Sequence, residues 1–167
     1  MSSFHDDLFK GAQTKDLIKV LLQKSGYSIT PYGYESTLSE IKNKLGARGT
    51  KNSRTVRRIR SSPDLLVYDE DRKDLMLVEV KMRSAPKETS IKYLKRIADY
   101  KEFWDDSILV VIIPCGDMIY AQKVSELETK NTYNATTDFE KFEEIFTRVK
   151  TKDISHFKTK ASQIIGK

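Results

Sequence analysis

Apolar residues recur at helix spacing from Phe4 to about Lys24, with Leu8, Leu17, Ile18, Val20, Leu21 and Leu22 in the pattern and Ser25-Gly26 as a stop. Gly11 is a candidate division of this helix into two pieces. Tyr27 to Tyr34 contains Ile29, Pro31 and Gly33 and reads as a connection with a short extended piece. A second helix is expected through Leu38, Ile41 and Leu45, ending at Gly46. Val56 and Ile59 predict a short strand, after a loop-like stretch with Gly49, Asn52 and Ser53. The runs Leu65 to Tyr68 and Leu75 to Val80 flank the polar turn Asp69 to Asp74 and predict a β-hairpin.

Past Pro86, Thr89 or Ser90 is the expected cap of a helix whose apolar stripe is Ile91, Leu94, Ile97, Ala98 and Trp104. Ser107 to Ile113, SILVVII, is β-branched and of strand length, suited to burial on both faces, and Pro114-Cys115-Gly116 ends it. Met118 to Val124 predicts another strand. Phe139, Phe142, Ile145, Phe146 and Val149 predict an amphipathic helix, and a short helix is expected near Ala161 to Ile165. The order predicts an α/β protein: a mixed β-sheet with helices on both faces, in one domain spanning 1–167.

The 167 residues suffice for one hydrophobic core. A net charge of +6 and a pI near 9.2 suit an anionic partner, nucleic acid or a membrane surface. No apolar run approaches the roughly 20 residues that span a bilayer, and MSSFHDDLFK lacks the apolar stretch of a secretory signal. The expectation is a cytoplasmic protein without a membrane. Cys115 is the single cysteine, which excludes an internal disulfide and a cysteine-rich zinc cluster, and His5 and His156 are too far apart in sequence to suggest a metal pair.

One placement of charge stands out against this background. Glu79 and Lys81 lie two apart on the second strand of the hairpin, so they share a face, while Met76, Val78 and Val80 share the other. Ionised groups within an apolar strand must be paired or must hold a metal. Pro63-Asp64, followed fifteen positions later by Glu79-Val80-Lys81, resembles the PD-(D/E)XK nuclease superfamily. That resemblance covers about Gly33 to Val124 and implies a restriction endonuclease-like fold with an αβββαβ core. In size the chain is similar to archaeal Holliday-junction resolvases and small restriction-type or viral endonucleases. Lys10 to Gln13, KGAQ, and Ser25-Gly26-Tyr27 are similar to the start of those resolvases, but the acid of their first helix would fall on Lys15.

The resemblance implies a Mg²⁺-dependent endonuclease, with Mn²⁺ as a substitute, acting on DNA as a homodimer. Asp64, Glu79 and the main-chain carbonyl of Val80 would hold the metal, and Lys81 would orient or deprotonate the attacking water. Many members add an acid from the helix before the first core strand. Glu35 is three, seven and ten positions from Leu38, Lys42 and Leu45, which places it near the core-facing side of an extended helix. Glu40, three residues after Thr37, fits a capping box, so Glu35 is the preferred site acid and Glu40 the structural one.

Arg48, Lys51, Arg54, Arg57, Arg58 and Arg60 lie in a stretch without an acid that leads directly to Asp64, where they would neutralise phosphates beside the cut. Lys92, Lys95 and Lys101 are further candidates, and Tyr93, Tyr100 and Trp104 are expected in the core. A reading of another class is a DNA-binding protein on the same fold with no catalysis.

Overall fold

A computed structural model describes residues 4–33, 53–82, 90–92, 97–113, 119–130, 132–135 and 137–165. In chain order the elements are α1 (Phe4–Lys24), β1 (Ser28–Pro31), α2 (Arg54–Arg60), β2 (Leu65–Asp69), β3 (Asp74–Met82), β4 (Ser90–Lys92) and α3 (Ile97–Phe103). They continue with β5 (Ile108–Ile112), β6 (Ile119–Lys123), β7 (Thr132–Asn134), β8 (Glu140–Lys141), α4 (Phe142–Ile145) and α5 (Thr151–Ile165). The expected helix through Leu38, Ile41 and Leu45 lies outside the described residues.

Six strands form one mixed sheet in the order β1-β2-β3-β5-β6-β8. The hairpin forms as expected: β2 pairs antiparallel with β3, Leu65 opposite Val78 and Asp69 opposite Asp74. Its turn is fastened by Asp69, whose Oδ1 accepts the N–H groups of Asp71 and Arg72 and an N–H of the Arg148 guanidinium. β3 and β5 run parallel, and a parallel pair requires a crossover, which here contains α3. β1 is an edge strand, where Pro31 removes no ladder bond that the sheet needs. The order α1, β1, β2, β3, α3, β5 follows the αβββαβ order that the sequence resemblance implies, with α2 and β4 as insertions.

The sheet separates two apolar layers. On one side, Ile18, Leu21 and Leu22 of α1 and Phe157 of α5 pack with Val78, Val80, Val110, Phe142 and Phe146. On the other, Ile97 and Tyr100 of α3 pack with Leu109, Val111, Tyr120, Tyr133 and Phe139. All five residues of β5 are buried, as its uninterrupted β-branched sequence requires.

α1 continues through Gly11 without a break and stops at Gly26, where φ is 89° and an added Cβ would lie 2.3 Å from Nη2 of Arg148. The short strand expected around Val56 and Ile59 is instead the helix α2. Those two residues are three apart, a helical spacing, and the Ser53 hydroxyl caps the helix by accepting the Val56 N–H at 3.2 Å. Ser90 to Lys92 is a strand paired with β7 rather than the start of the expected helix, whose described part is Ile97–Phe103, while Thr89 lies outside the described residues.

Phe139 to Val149 is not one amphipathic helix. Phe139 is buried on the α3 side and Phe142, Phe146 and Val149 on the α1 side, which a single helix stripe cannot do; the β8 edge strand makes the passage. The last helix starts ten residues earlier than expected, at Thr151, and buries Ile154, Phe157 and Ala161 at helix spacing.

Phe146 joins these parts, being fully buried with its ring centroid 4.5 Å from that of Phe142 and 5.9 Å from that of Tyr27. Phe146→Ala should destabilise the protein by about 3–5 kcal/mol, measured by urea unfolding. A loss well under 1 kcal/mol would contradict this packing.

Candidate active site

The alternation of β3 sends Val78 and Val80 into the α1 layer and Glu79 and Lys81 toward α3. Leu65 pairs with Val78, so the next rung brings Asp64 beside Glu79. Asp64 is fixed through its backbone as well as its side chain. Its carbonyl accepts the N–H groups of Tyr32 at 2.9 Å and Gly33 at 3.3 Å, and its Oδ2 accepts the Val80 N–H at 3.0 Å. The other carboxylate oxygen, Oδ1, takes the Lys15 ammonium at 2.5 Å, reaching in from α1.

Glu79 is only 3% exposed. Its Oε1 accepts from the Lys81 ammonium and from the Tyr100 hydroxyl, the latter at 2.7 Å. Its Oε2 is buried and, among the described residues, has no hydrogen-bond partner. A buried carboxylate oxygen left bare is costly, and such atoms are rare in folded proteins. Burial is the largest influence on this carboxyl and pushes its pKa above the ordinary value; Lys81 pulls it down and the charge of Asp64 pushes it up again. Lys81 is also 5.9 Å from the centroid of the Tyr100 ring.

Asp64, Glu79, Val80 and Lys81 are therefore brought together, as the sequence motif anticipates. Glu35, Glu40, Arg48 and Lys51 lie outside the described residues. Among the described residues no three His, Cys, Asp or Glu side chains converge. The acidic part of the site among those residues is the Asp64 and Glu79 pair, in which Oε2 of Glu79 carries no hydrogen bond, a donor set suited to a hard divalent cation.

Two contributors escaped the sequence. Tyr100 is buried in the core as expected, but its hydroxyl serves the site; the available signal was that a buried phenol must find an acceptor. Lys15 was visible only as a lysine at the position of an expected acid, and the structure places its ammonium on Asp64.

The described cations of the basic stretch lie on α2, beside α3. Arg57 forks onto Asp99 and reaches Glu102 at 2.6 Å, and Arg54 meets Glu102 at 3.2 Å while its side chain remains 79% exposed. Arg58 lies over the Trp104 ring, 5.6 Å from its centroid, and the Trp104 indole N–H donates to the Arg58 carbonyl. Lys101 donates to the Leu127 carbonyl. The ring of Trp104 meets Tyr32 edge-on at 6.1 Å, which joins this layer to the segment clamping Asp64.

No protein-family model matches the sequence, and no curated protein matches it. Among solved structures, the fold is similar to that of Hjc, a Holliday junction resolvase from the archaeal hyperthermophile Archaeoglobus fulgidus. The likeness has a TM-score of 0.48 at 16% identity and covers 81% of this chain and 94% of that one.

The raised pKa of Glu79 has a thermodynamic sign. The folded protein holds that proton more tightly than the unfolded chain, so the stability this confers is present below the ordinary glutamate value and is lost as pH rises through the folded pKa. The melting temperature of Glu79→Gln, relative to the unmodified metal-free protein, should therefore climb as pH increases from about 4 toward neutrality. A difference independent of pH would show that Glu79 is not strained by its burial.

Proposed function

We propose that this chain is a divalent-metal-dependent DNA endonuclease that hydrolyses phosphodiester bonds. The observation that carries this reading is the bare, buried Oε2 of Glu79 beside Asp64 and Lys81. Asp64, Glu79 and the Val80 carbonyl would hold Mg²⁺, or Mn²⁺ in its place. When bound, the ion supplies Lewis-acid stabilisation of the phosphate charge and lowers the pKa of a water.

The protein's own groups have separate tasks around that centre. Tyr100 fixes Oε1 of Glu79 by its hydroxyl, which leaves Oε2 as the oxygen to be filled. Lys81 stands over the same carboxylate, where its ammonium can orient the attacking water and offset charge developing on the phosphate. Arg54 and Arg58, the exposed cations of α2, would follow the DNA backbone; Arg57 is held by Asp99 and Glu102 and orders α2 against α3. A homodimer would supply two such centres for the two strands of a duplex or junction.

The test uses supercoiled plasmid, single-stranded DNA and a four-way junction, each with Mg²⁺, Mn²⁺ or EDTA. Asp64→Ala and Glu79→Ala should each lower metal-dependent cleavage by about 100-fold or more while DNA binding persists. Cleavage unaffected by both substitutions would sink the assignment, and salt-sensitive binding without cleavage of any substrate would favour a non-catalytic DNA-binding protein.

The basic face makes a separate claim. Arg58→Ala should lower the slope of log binding constant against log salt by about one, uniformly across DNA sequences. An unchanged slope would remove Arg58 from the DNA surface.

A further inference from the structure

The two carboxylates of the site are occupied differently. Glu79 keeps one oxygen bare, whereas both oxygens of Asp64 are engaged, Oδ2 by the Val80 N–H and Oδ1 by Lys15. The Val80 bond belongs to the backbone of the central strand and has little freedom to move. The Lys15 bond is made by a flexible side chain that is 37% exposed, against 13% for Asp64, so it is the contact that can open. The anchoring of α1 does not depend on it, since Ile18, Leu21 and Leu22 already fix that helix to the sheet.

A dication drawn to Asp64 and Glu79 meets an ammonium already seated on one of its oxygens. Like charges at such separation oppose each other strongly where water is partly excluded. The opposition is relieved when Lys15 turns to another anion, and in a nuclease the phosphate being cut is the anion that arrives at that place.

We propose that Lys15 is a phosphate-holding residue that guards the metal position: it covers Asp64 until DNA arrives, then transfers its ammonium to a phosphate oxygen. This rests on the metal-dependent reading above. Lys15 thereby makes metal and DNA reinforce each other, because whatever draws the ammonium away from Asp64 strengthens the metal and, by reciprocity, the metal strengthens the hold on DNA. The chain would bind its ion weakly alone and well in company.

The experiment measures Mn²⁺ affinity of the full chain without DNA, by titration followed with electron paramagnetic resonance, and separately cleavage at saturating Mn²⁺. Lys15→Met and Lys15→Gln should bind Mn²⁺ roughly tenfold more tightly than the unmodified protein, within the range ordinary for coupled sites, while cleaving more slowly. Lys15→Arg should leave Mn²⁺ affinity near its original value. Tighter metal with slower cutting is a pairing that a merely structural lysine would not give.

If both neutral variants bind Mn²⁺ no more tightly, the role of Lys15 is overturned, while Mn²⁺ binding that vanishes in Asp64→Ala keeps the metal site. Tighter binding with undiminished cleavage would overturn the phosphate-holding role. If neither the unmodified protein nor any Lys15 variant binds Mn²⁺, the metal-dependent reading itself fails, and this proposal with it.

Discussion

The candidate site depends on one costly placement, a glutamate on the central strand of the sheet with almost no access to water. β5 flanks Glu79 on one side through Leu109, Asp64 stands on the other just before β2, and Tyr100 of α3 reaches it from above. A carboxylate there survives only because its charge is answered by Lys81 and one of its oxygens by Tyr100. The parallel join of β3 to β5 and the crossover through α3 are what bring that phenol above the strand. Remove the crossover and Glu79 loses its cover and its hydrogen bond together.

Asp64 poses the opposite problem. It sits just before β2 and is reached from two directions: from α1 by Lys15 and through the backbone of β3 by Val80. The clamp from Tyr32 and Gly33 ties the end of β1 to the same residue. The two carboxylates thus share a rung but not an environment, one deep and partly bare, the other shallower and fully engaged. Such asymmetry allows two chemically similar groups to take different roles.

The hairpin was legible because strand alternation is a two-residue pattern and its polar turn is unmistakable; β5 was legible because a run of five buried residues has no exposed face to encode. α2 was misjudged for the opposite reason. In a seven-residue element with only Val56 buried, two β-branched residues suggested a strand, although their spacing and Ser53 pointed to a helix. β4, β7 and β8 have three, three and two residues, too few for periodicity to register, and their existence follows from pairing partners far along the chain. For the candidate site, the proximity of Asp64, Glu79, Val80 and Lys81 could be read because one hairpin carries them all. Tyr100 and Lys15 could not, since tertiary packing alone decides where a hydroxyl from α3 and an ammonium from α1 come to rest.

The parallel pairing of β3 with β5 therefore affects more than sheet order. A hairpin closes quickly from nearby residues, but a parallel pair must wait until a long intervening segment has been brought round. The motif residues can meet early, within the hairpin, while the phenol that fixes Glu79 arrives only with the crossover and the ammonium on Asp64 only when α1 docks. The carboxylate constellation is in this sense a completion signal: its final geometry exists only after segments distant in the chain have come together, so a partly folded chain carries the motif without carrying the site.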